Sequence, residues 1–109
     1  ALVAKISHLP HLCASALVQT AMAGDTRAVQ LAGAGFRDST RIAAGSPEMW
    51  TGILGENREA ISAVLSEHIK ELGDVLAKLQ GNDNEGLSRF LDDAKNYRSA
   101  LSVPSTKEN

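Results

Sequence analysis

Two short stretches of this chain carry side chains able to handle an anion. In GAGFRDSTR, Gly33 to Arg41, the arginines Arg37 and Arg41 lie four residues apart, and Asp38 lies three before Arg41. On a helix, that spacing sets both guanidinium groups on one side. Arg41 brings a planar fork suited to a carboxylate, and Asp38 could brace it. In SHLPH, Ser7 to His11, His8 and His11 lie three apart around a proline. Imidazoles at a helix start can donate hydrogen bonds to an anion or a carbonyl. Trp50, the sole tryptophan, follows the arginine cluster and is either plain core or the wall of a ligand pocket.

Other chemistries fit less well. A dinucleotide fingerprint needs G-x-G-x-x-G after a strand, but Asp38 stands at the third glycine position and no strand pattern precedes it. A P-loop would need Gly-Lys-Ser/Thr, which is absent. Zinc needs a third and fourth ligand beside His8 and His11. Only Cys13, His68 and scattered carboxylates are on offer, so no metal site is expected. The remaining anion reading treats Gly33-Ala34-Gly35 as a turn, with the N–H groups of the following helix start as partial positive charge. On spacing alone the plainer account is favoured: an exposed helix with a local Asp38–Arg41 pair, since surface ion pairs are common and weak. For the histidines the plain account is capping or packing, and for His68 it is interface or core packing.

The elements that must position these groups are helical. Ala and Leu are plentiful and aromatics scarce, which favours helices. Pro10 fits the first turn of a helix running to Gly24, with Leu12, Ala16, Leu17 and Ala23 on related faces. Gly24-Asp25 breaks it, Thr26 to Ala32 is a short segment, and Phe36 to Ala44 forms two turns ended by Gly45. Ser46-Pro47-Glu48 is a strong helix start, with Ser as N-cap, Pro at N1 and an acid in the first turn. Asn57 can cap the longest helix, from about Asn57 to Gln80. Its apolar stripe is Ile61, Val64, Leu65, Ile69, Leu72, Val75, Leu76 and Leu79. Gly81-Asn82-Asp83-Asn84 is a turn, and a last helix carries Leu87, Phe90, Leu91, Ala94, Tyr97 and Leu101. Residues 102–109 read as a frayed tail. The expected architecture is all-α, a helical bundle with a long C-terminal helical hairpin.

Composition narrows the class further. The chain has 109 residues, one domain with a modest core that a partner would stabilise. Its net charge of −2, with no basic stripe, argues against nucleic acid. No apolar run approaches the ~20 residues needed to span a bilayer, so no membrane partner is expected. The lone Cys13 forms no internal disulfide and suits a reducing, cytoplasmic setting as a small core side chain. The chain opens on Ala1 and LVAKISHLPH, which reads as a piece of a longer protein.

The order SHLPH, a Gly-rich turn, F-R-D-S-T-R-I-A and then S-P-E-M-W resembles the C-terminal helical domain of the prephenate and arogenate dehydrogenases. The likeness runs from Ile6 to about Arg58, with three motifs in order and spacing. It implies a fold like the C-terminal domain of 6-phosphogluconate dehydrogenase, with residues 1–109 as a dimerisation and substrate domain. It implies a homodimer, an oxidoreductase of tyrosine biosynthesis, and NAD or NADP bound by an N-terminal Rossmann domain outside this chain. The substrate would be prephenate or arogenate, decarboxylated oxidatively toward 4-hydroxyphenylpyruvate or tyrosine. By position, Arg41 matches the family arginine that holds a substrate carboxylate, and His11 matches a histidine lining the substrate pocket. His8 is its neighbour in that motif, Asp38 matches an acid near the cleft mouth, and Trp50 matches the pocket tryptophan. Gly33, Ala34 and Gly35 match a turn that is usually Gly-Gly-Gly in the family. Ala34 therefore tests whether that backbone needs a positive φ or a close approach to substrate. The family's catalytic histidine belongs to the N-terminal part, so no catalytic residue, and no activity or cofactor binding, is expected of this chain by itself. The rival class is a stand-alone helical interaction module without catalysis. It expects Arg41 and His11 to be exposed and unrelated in space.

Overall fold

The computed structural model describes residues 2–23, 27, 31 and 33–101. Among them every regular element is helical. A π-helical turn (Ala4–His8) runs directly into α1 (Leu9–Met22). Helix α2 (Ala34–Thr40) tightens into a 3-10 turn (Arg41–Ala44). Then come α3 (Pro47–Gly55), α4 (Arg58–Gln80) and α5 (Asn84–Leu101). The expected break at Gly24-Asp25 and most of the Thr26–Ala32 segment lie outside the described residues, as do residues 102–109. Arg27 and Leu31 are helical. The chain forms two compact units, Ala1–Glu67 and His68–Asn109, divided within α4. Among the described residues, no helix is long and apolar enough to cross a membrane.

In the first unit, α1 packs against α2 and the 3-10 turn. Its inward positions are His11 and Ala14, with Ala4, His8 and Ile61 also buried. This corrects the apolar face expected for α1: Ala16, Leu17 and Ala23 are exposed and Leu12 is half-buried. The stripe was assigned by hydrophobicity, yet the positions turned inward belong to an imidazole and to an alanine small enough for close helix approach. Cys13 is half-buried and free, and burial pushes its thiol above the ordinary value. The same burial favours the thiol over the thiolate.

A second correction concerns Gly33-Ala34-Gly35. The three residues do not make a turn. Gly33 is extended (φ −94°, ψ −173°) and precedes the helix, while Ala34 and Gly35 are its first two residues. The Arg37 amide already donates to the Gly33 carbonyl at 3.1 Å. Neither glycine uses a left-handed conformation, and a Cβ at either would meet nothing within 4 Å among the described residues. Ala34 is therefore compatible with this backbone. At the other end of α2, the Thr40 hydroxyl donates to the Phe36 carbonyl at 2.7 Å, which occupies that acceptor where the helix tightens.

The start of α3 follows its sequence signal: Ser46 is the N-cap, its Oγ accepting from the Met49 amide at 3.3 Å, with Pro47 in the first turn. Helix α4 also has the expected limits. Of its apolar stripe, Ile61 is buried and Val64 and Leu65 are half-buried. In the second unit, Ile69, Leu72, Leu76 and Leu79 are each more than half exposed. A pair of helices lacks the surface to cover both its faces, so this unit leaves an apolar strip bare.

The α4–α5 connection is closed by its own backbone. Asn82 takes the left-handed conformation at φ 53°. The Asp83 amide donates to the Lys78 carbonyl at 2.9 Å and the Asn82 amide to that of Leu79 at 3.3 Å, the pattern of a Schellman ending. Asp83 then caps α5, its Oδ1 accepting from the Gly86 amide at 2.9 Å. Asp83→Ala should lower stability by about 1 kcal/mol through loss of this cap, while Asp83→Asn should lose much less. Urea unfolding followed by helical circular dichroism would check both, and equal losses would deny the cap its role.

Candidate functional site

The π turn explains how SHLPH is shaped. Pro10 has no N–H, so it cannot donate to the carbonyl four residues back. The helix accommodates this by widening just before it, and the Leu9 amide donates to the Ala4 carbonyl five residues back. Such π turns recur at functional sites. The helix continues as α1, and the three-residue spacing brings His8 and His11 to the same side. Both are buried, at 8% and 6% exposure, which is uncommon for histidine without a partner group.

Their partner is Trp50, carried by the second turn of α3. The His11 ring lies flat on the indole, with centroids 3.8 Å apart and planes at 13°. His8 approaches edge-on, at 6.2 Å and 85°. Aromatic contacts of these two geometries add about 0.5–1.5 kcal/mol each beyond area burial. Gly45 makes the approach possible. A Cβ there would stand 2.9 Å from Trp50 Nε1, 3.1 Å from its Cδ1 and 3.3 Å from His11 Cε1. The glycine is required for space rather than for conformation, since its φ is −66°.

Two polar details complete the cluster. The Asn57 side-chain Nδ2 lies 3.3 Å from His8 Nδ1. His11 Nδ1 is buried with no hydrogen-bond partner among the described residues. An unpaired buried nitrogen costs about 1–3 kcal/mol, a cost that native proteins tend to carry at functional positions.

Of the residues read from the sequence, His8, His11 and Trp50 are therefore brought into mutual contact. Arg41 and Asp38 are exposed and form no ion pair with each other, so the expected local brace is absent. Arg41 nonetheless belongs to the same corner of the fold. The 3-10 turn that starts with it packs on α1, the helix of His11, and ends beside Gly45, where a Cβ would run into both Trp50 and His11. His68 is half-buried in α4. Among the described residues, no group of three or more His, Cys, Asp or Glu side chains is arranged to hold a metal ion.

Two members of the cluster escaped the sequence reading. Gly45 looked like a helix terminator and Asn57 like a helix cap. Asn57 does stand just before α4, and its carbonyl accepts the Ile61 amide at 3.0 Å, but its side chain goes to His8. The hairpin of the second unit has a cleft of about 260 Å³ whose charged lining is Glu71, Asp74, Asp93, Lys78 and Arg89. Three acids against two bases give it the wrong sign for an anion.

A domain whose described residues form only helices, and whose two buried histidines meet a tryptophan through SHLPH, GSPEMW and a following asparagine, is a narrow class. The family model described as prephenate dehydrogenase, dimerization domain, matches residues 1–93, and the chain belongs to that family. The match extends well beyond the Ile6–Arg58 stretch that carries the motifs. The chain is 37% identical over 99 residues to prephenate dehydrogenase of Bacillus subtilis, covering 88% of this chain and 27% of that protein. It is 33% identical over 102 residues to that of Lactococcus lactis, covering 91% and 29%. It is also similar to a cyclohexadienyl dehydrogenase of Zymomonas mobilis, at 29% identity over 99 residues. Among solved structures, arogenate dehydrogenase of Synechocystis superposes with a TM-score of 0.86 at 28% identity, over 92% of this chain and 38% of that one. The chain thus spans about a third or less of the length of the curated relatives it matches.

Gly45→Ala should disturb the cluster directly. The indole is held by His11 on its face and His8 at its edge, so it cannot yield freely to a new methyl group. A loss of about 1–3 kcal/mol is expected from overpacking. Because Trp50 is the sole tryptophan, a shift in its fluorescence should accompany that loss. Unchanged emission and stability in Gly45→Ala would contradict the close approach.

Proposed function

We propose that this chain is the substrate-binding and dimerising part of a prephenate or arogenate dehydrogenase of tyrosine biosynthesis, working in the cytoplasm. The observation that carries the reading is the cluster of buried His8 and His11 on half-buried Trp50, joined to Arg41 by the 3-10 turn that packs on α1. Prephenate is a dianion, so its site needs a fixed cation and neutral donors. Arg41 supplies the cation, with a fork able to hold a carboxylate through two hydrogen bonds. His8 and His11 supply ring nitrogens, and Trp50 supplies a flat wall for the substrate ring. Asp38, also exposed on α2, stands at the cleft mouth. The segment Gly33-Ala34-Gly35 contributes backbone near the substrate.

A nicotinamide dinucleotide does not fit this chain's own residues. Pyrophosphate binding on a Gly-rich loop needs a strand–turn–helix unit. The glycines here lead from extended Gly33 straight into α2, and the described residues contain no strand. NAD or NADP therefore belongs to an N-terminal domain, together with the acid–base histidine of the reaction. This chain orients the substrate through its carboxylate and shields the ring.

Two measurements test the proposal. In the complete dehydrogenase, Arg41→Gln should lower kcat/KM for prephenate or arogenate by about 2–4 kcal/mol, roughly 30- to 1,000-fold, with cofactor affinity nearly unchanged. Arg41→Lys should recover only part of this, because an ammonium lacks the planar fork. An unaltered kcat/KM in folded Arg41→Gln enzyme would return Arg41 to an ordinary surface role. The second concerns the bare strip of α4, which supports a homodimer. Leu72→Glu combined with Leu76→Glu should convert the dimer to monomer in sedimentation velocity, since each burial is worth about 1.5–3 kcal/mol. A wild-type protein that is monomeric at high micromolar concentration would overturn the assignment.

A further inference from the structure

We propose that Asn57 is a positioning residue that fixes the tautomer of His8, leaving His8 as a neutral ring that presents an Nε2–H donor to the substrate anion. The role toward substrate rests on the dehydrogenase reading; the tautomer itself rests only on geometry. An amide nitrogen carries two hydrogens and no acceptor lone pair. With Asn57 Nδ2 at 3.3 Å from His8 Nδ1, the Asn57 amide donates and Nδ1 must accept. A neutral imidazole that accepts through one nitrogen carries its proton on the other. His8 therefore holds that proton on Nε2.

The surroundings reinforce the choice. His8 is nine-tenths buried and edge-on to Trp50, and turning its ring over would set the carbon Cδ2 against Asn57 in place of Nδ1, losing the hydrogen bond. Asn57 is itself fixed. Its amide donates to the Leu54 carbonyl at 3.2 Å and its own carbonyl accepts from Ile61, so the backbone between α3 and α4 is pinned on both sides of the side chain. The residue links the helix that carries Trp50, the helix of the hairpin and the π turn that carries His8. A cap alone would have needed an oxygen turned toward the first turn of α4. The amide nitrogen faces the imidazole instead.

The test reads the tautomer and the reaction separately. In long-range nitrogen–proton NMR of the 15N-labelled protein, with the imidazole neutral, His8 Nδ1 should resonate as an unprotonated nitrogen and Nε2 as a protonated one. Protonated Nδ1 in the wild-type protein would overturn the proposal without any variant. Asn57→Asp replaces the donor with an acceptor and should move a proton onto Nδ1. Asn57→Gln keeps the donor and should restore the wild-type pattern at least in part, which a purely structural role would not require. In the complete enzyme, Asn57→Asp should lower kcat/KM for substrate about tenfold or more, as loss of an orienting partner commonly does. A reversed tautomer with unchanged kcat/KM, in an enzyme that Arg41→Gln still impairs, would reject the role of Asn57 while leaving the dehydrogenase reading intact. If neither variant affects turnover, it is the reading of the site that fails, and the role of Asn57 toward substrate falls with it.

Discussion

The stack of His11 on Trp50 is the contact on which the described part of this molecule depends. It joins α1 to α3, two helices separated in sequence by more than twenty residues, at a ring distance of 3.8 Å. Other features follow from it. A side chain at position 45 would occupy the space of the indole, so that position is glycine. Ser46 and Pro47 start α3 immediately afterwards, so the rigid helical frame begins four residues before the ring it must hold. The π turn before Pro10 sets the register that lets His8 reach the same indole. Among the described residues, the interior of the first unit holds few large apolar side chains, so polar aromatic contacts take over part of what hydrophobic burial does elsewhere.

Much of this was legible in the sequence, for identifiable reasons. Ser46-Pro47-Glu48 announces a helix start through local hydrogen bonding and φ restriction, and both act in this structure. The limits of α4 are written in three- and four-residue apolar steps and in the Gly81-Asn82 ending. The pairing of His8, His11 and Trp50 was reachable only through the motifs, because no periodicity says which ring meets which. Gly33-Ala34-Gly35 was misread because glycine permits a turn without requiring one. In this structure the Arg37 amide closes a helical turn onto Gly33, and the hydrogen bond outweighs the propensity. Asn57 was half right. Its backbone does start α4, but the direction of a side-chain amide depends on a residue 49 positions away, and no local rule carries that information.

The two units make different demands on a partner. The first closes on its own polar cluster. The second is a hairpin in which Gly86 is the only buried residue among the described ones, with Ile69, Leu72, Leu76 and Leu79 left bare on α4. Roughly 25 cal/mol per Å² of apolar surface is available to whatever covers that strip. The family description as a dimerization domain and the physics of the strip point the same way. The cleft of the hairpin is lined by three acids against two bases, which disfavours an anion there.

Arg41 poses the remaining question, because it is exposed and an exposed guanidinium binds a carboxylate weakly. In water at 4 Å, two unit charges attract by only about 1 kcal/mol, against about 4 kcal/mol at the dielectric typical of a protein surface. Leaving the arginine in solvent has a benefit: the empty site incurs no desolvation cost, and no carboxylate such as Asp38 is tied to it in advance. The corresponding disadvantage is that a guanidinium in solvent attracts a carboxylate only weakly. The chain's two imidazoles and its indole are already assembled, while an exposed cation gains strength only when something covers it. If the site serves a dehydrogenase, the covering body is the domain that brings the cofactor, and the carboxylate bond tightens at the moment substrate and cofactor meet. Binding energy would then be concentrated in the closed, reacting arrangement rather than in the open one, which is the condition under which it accelerates the chemical step.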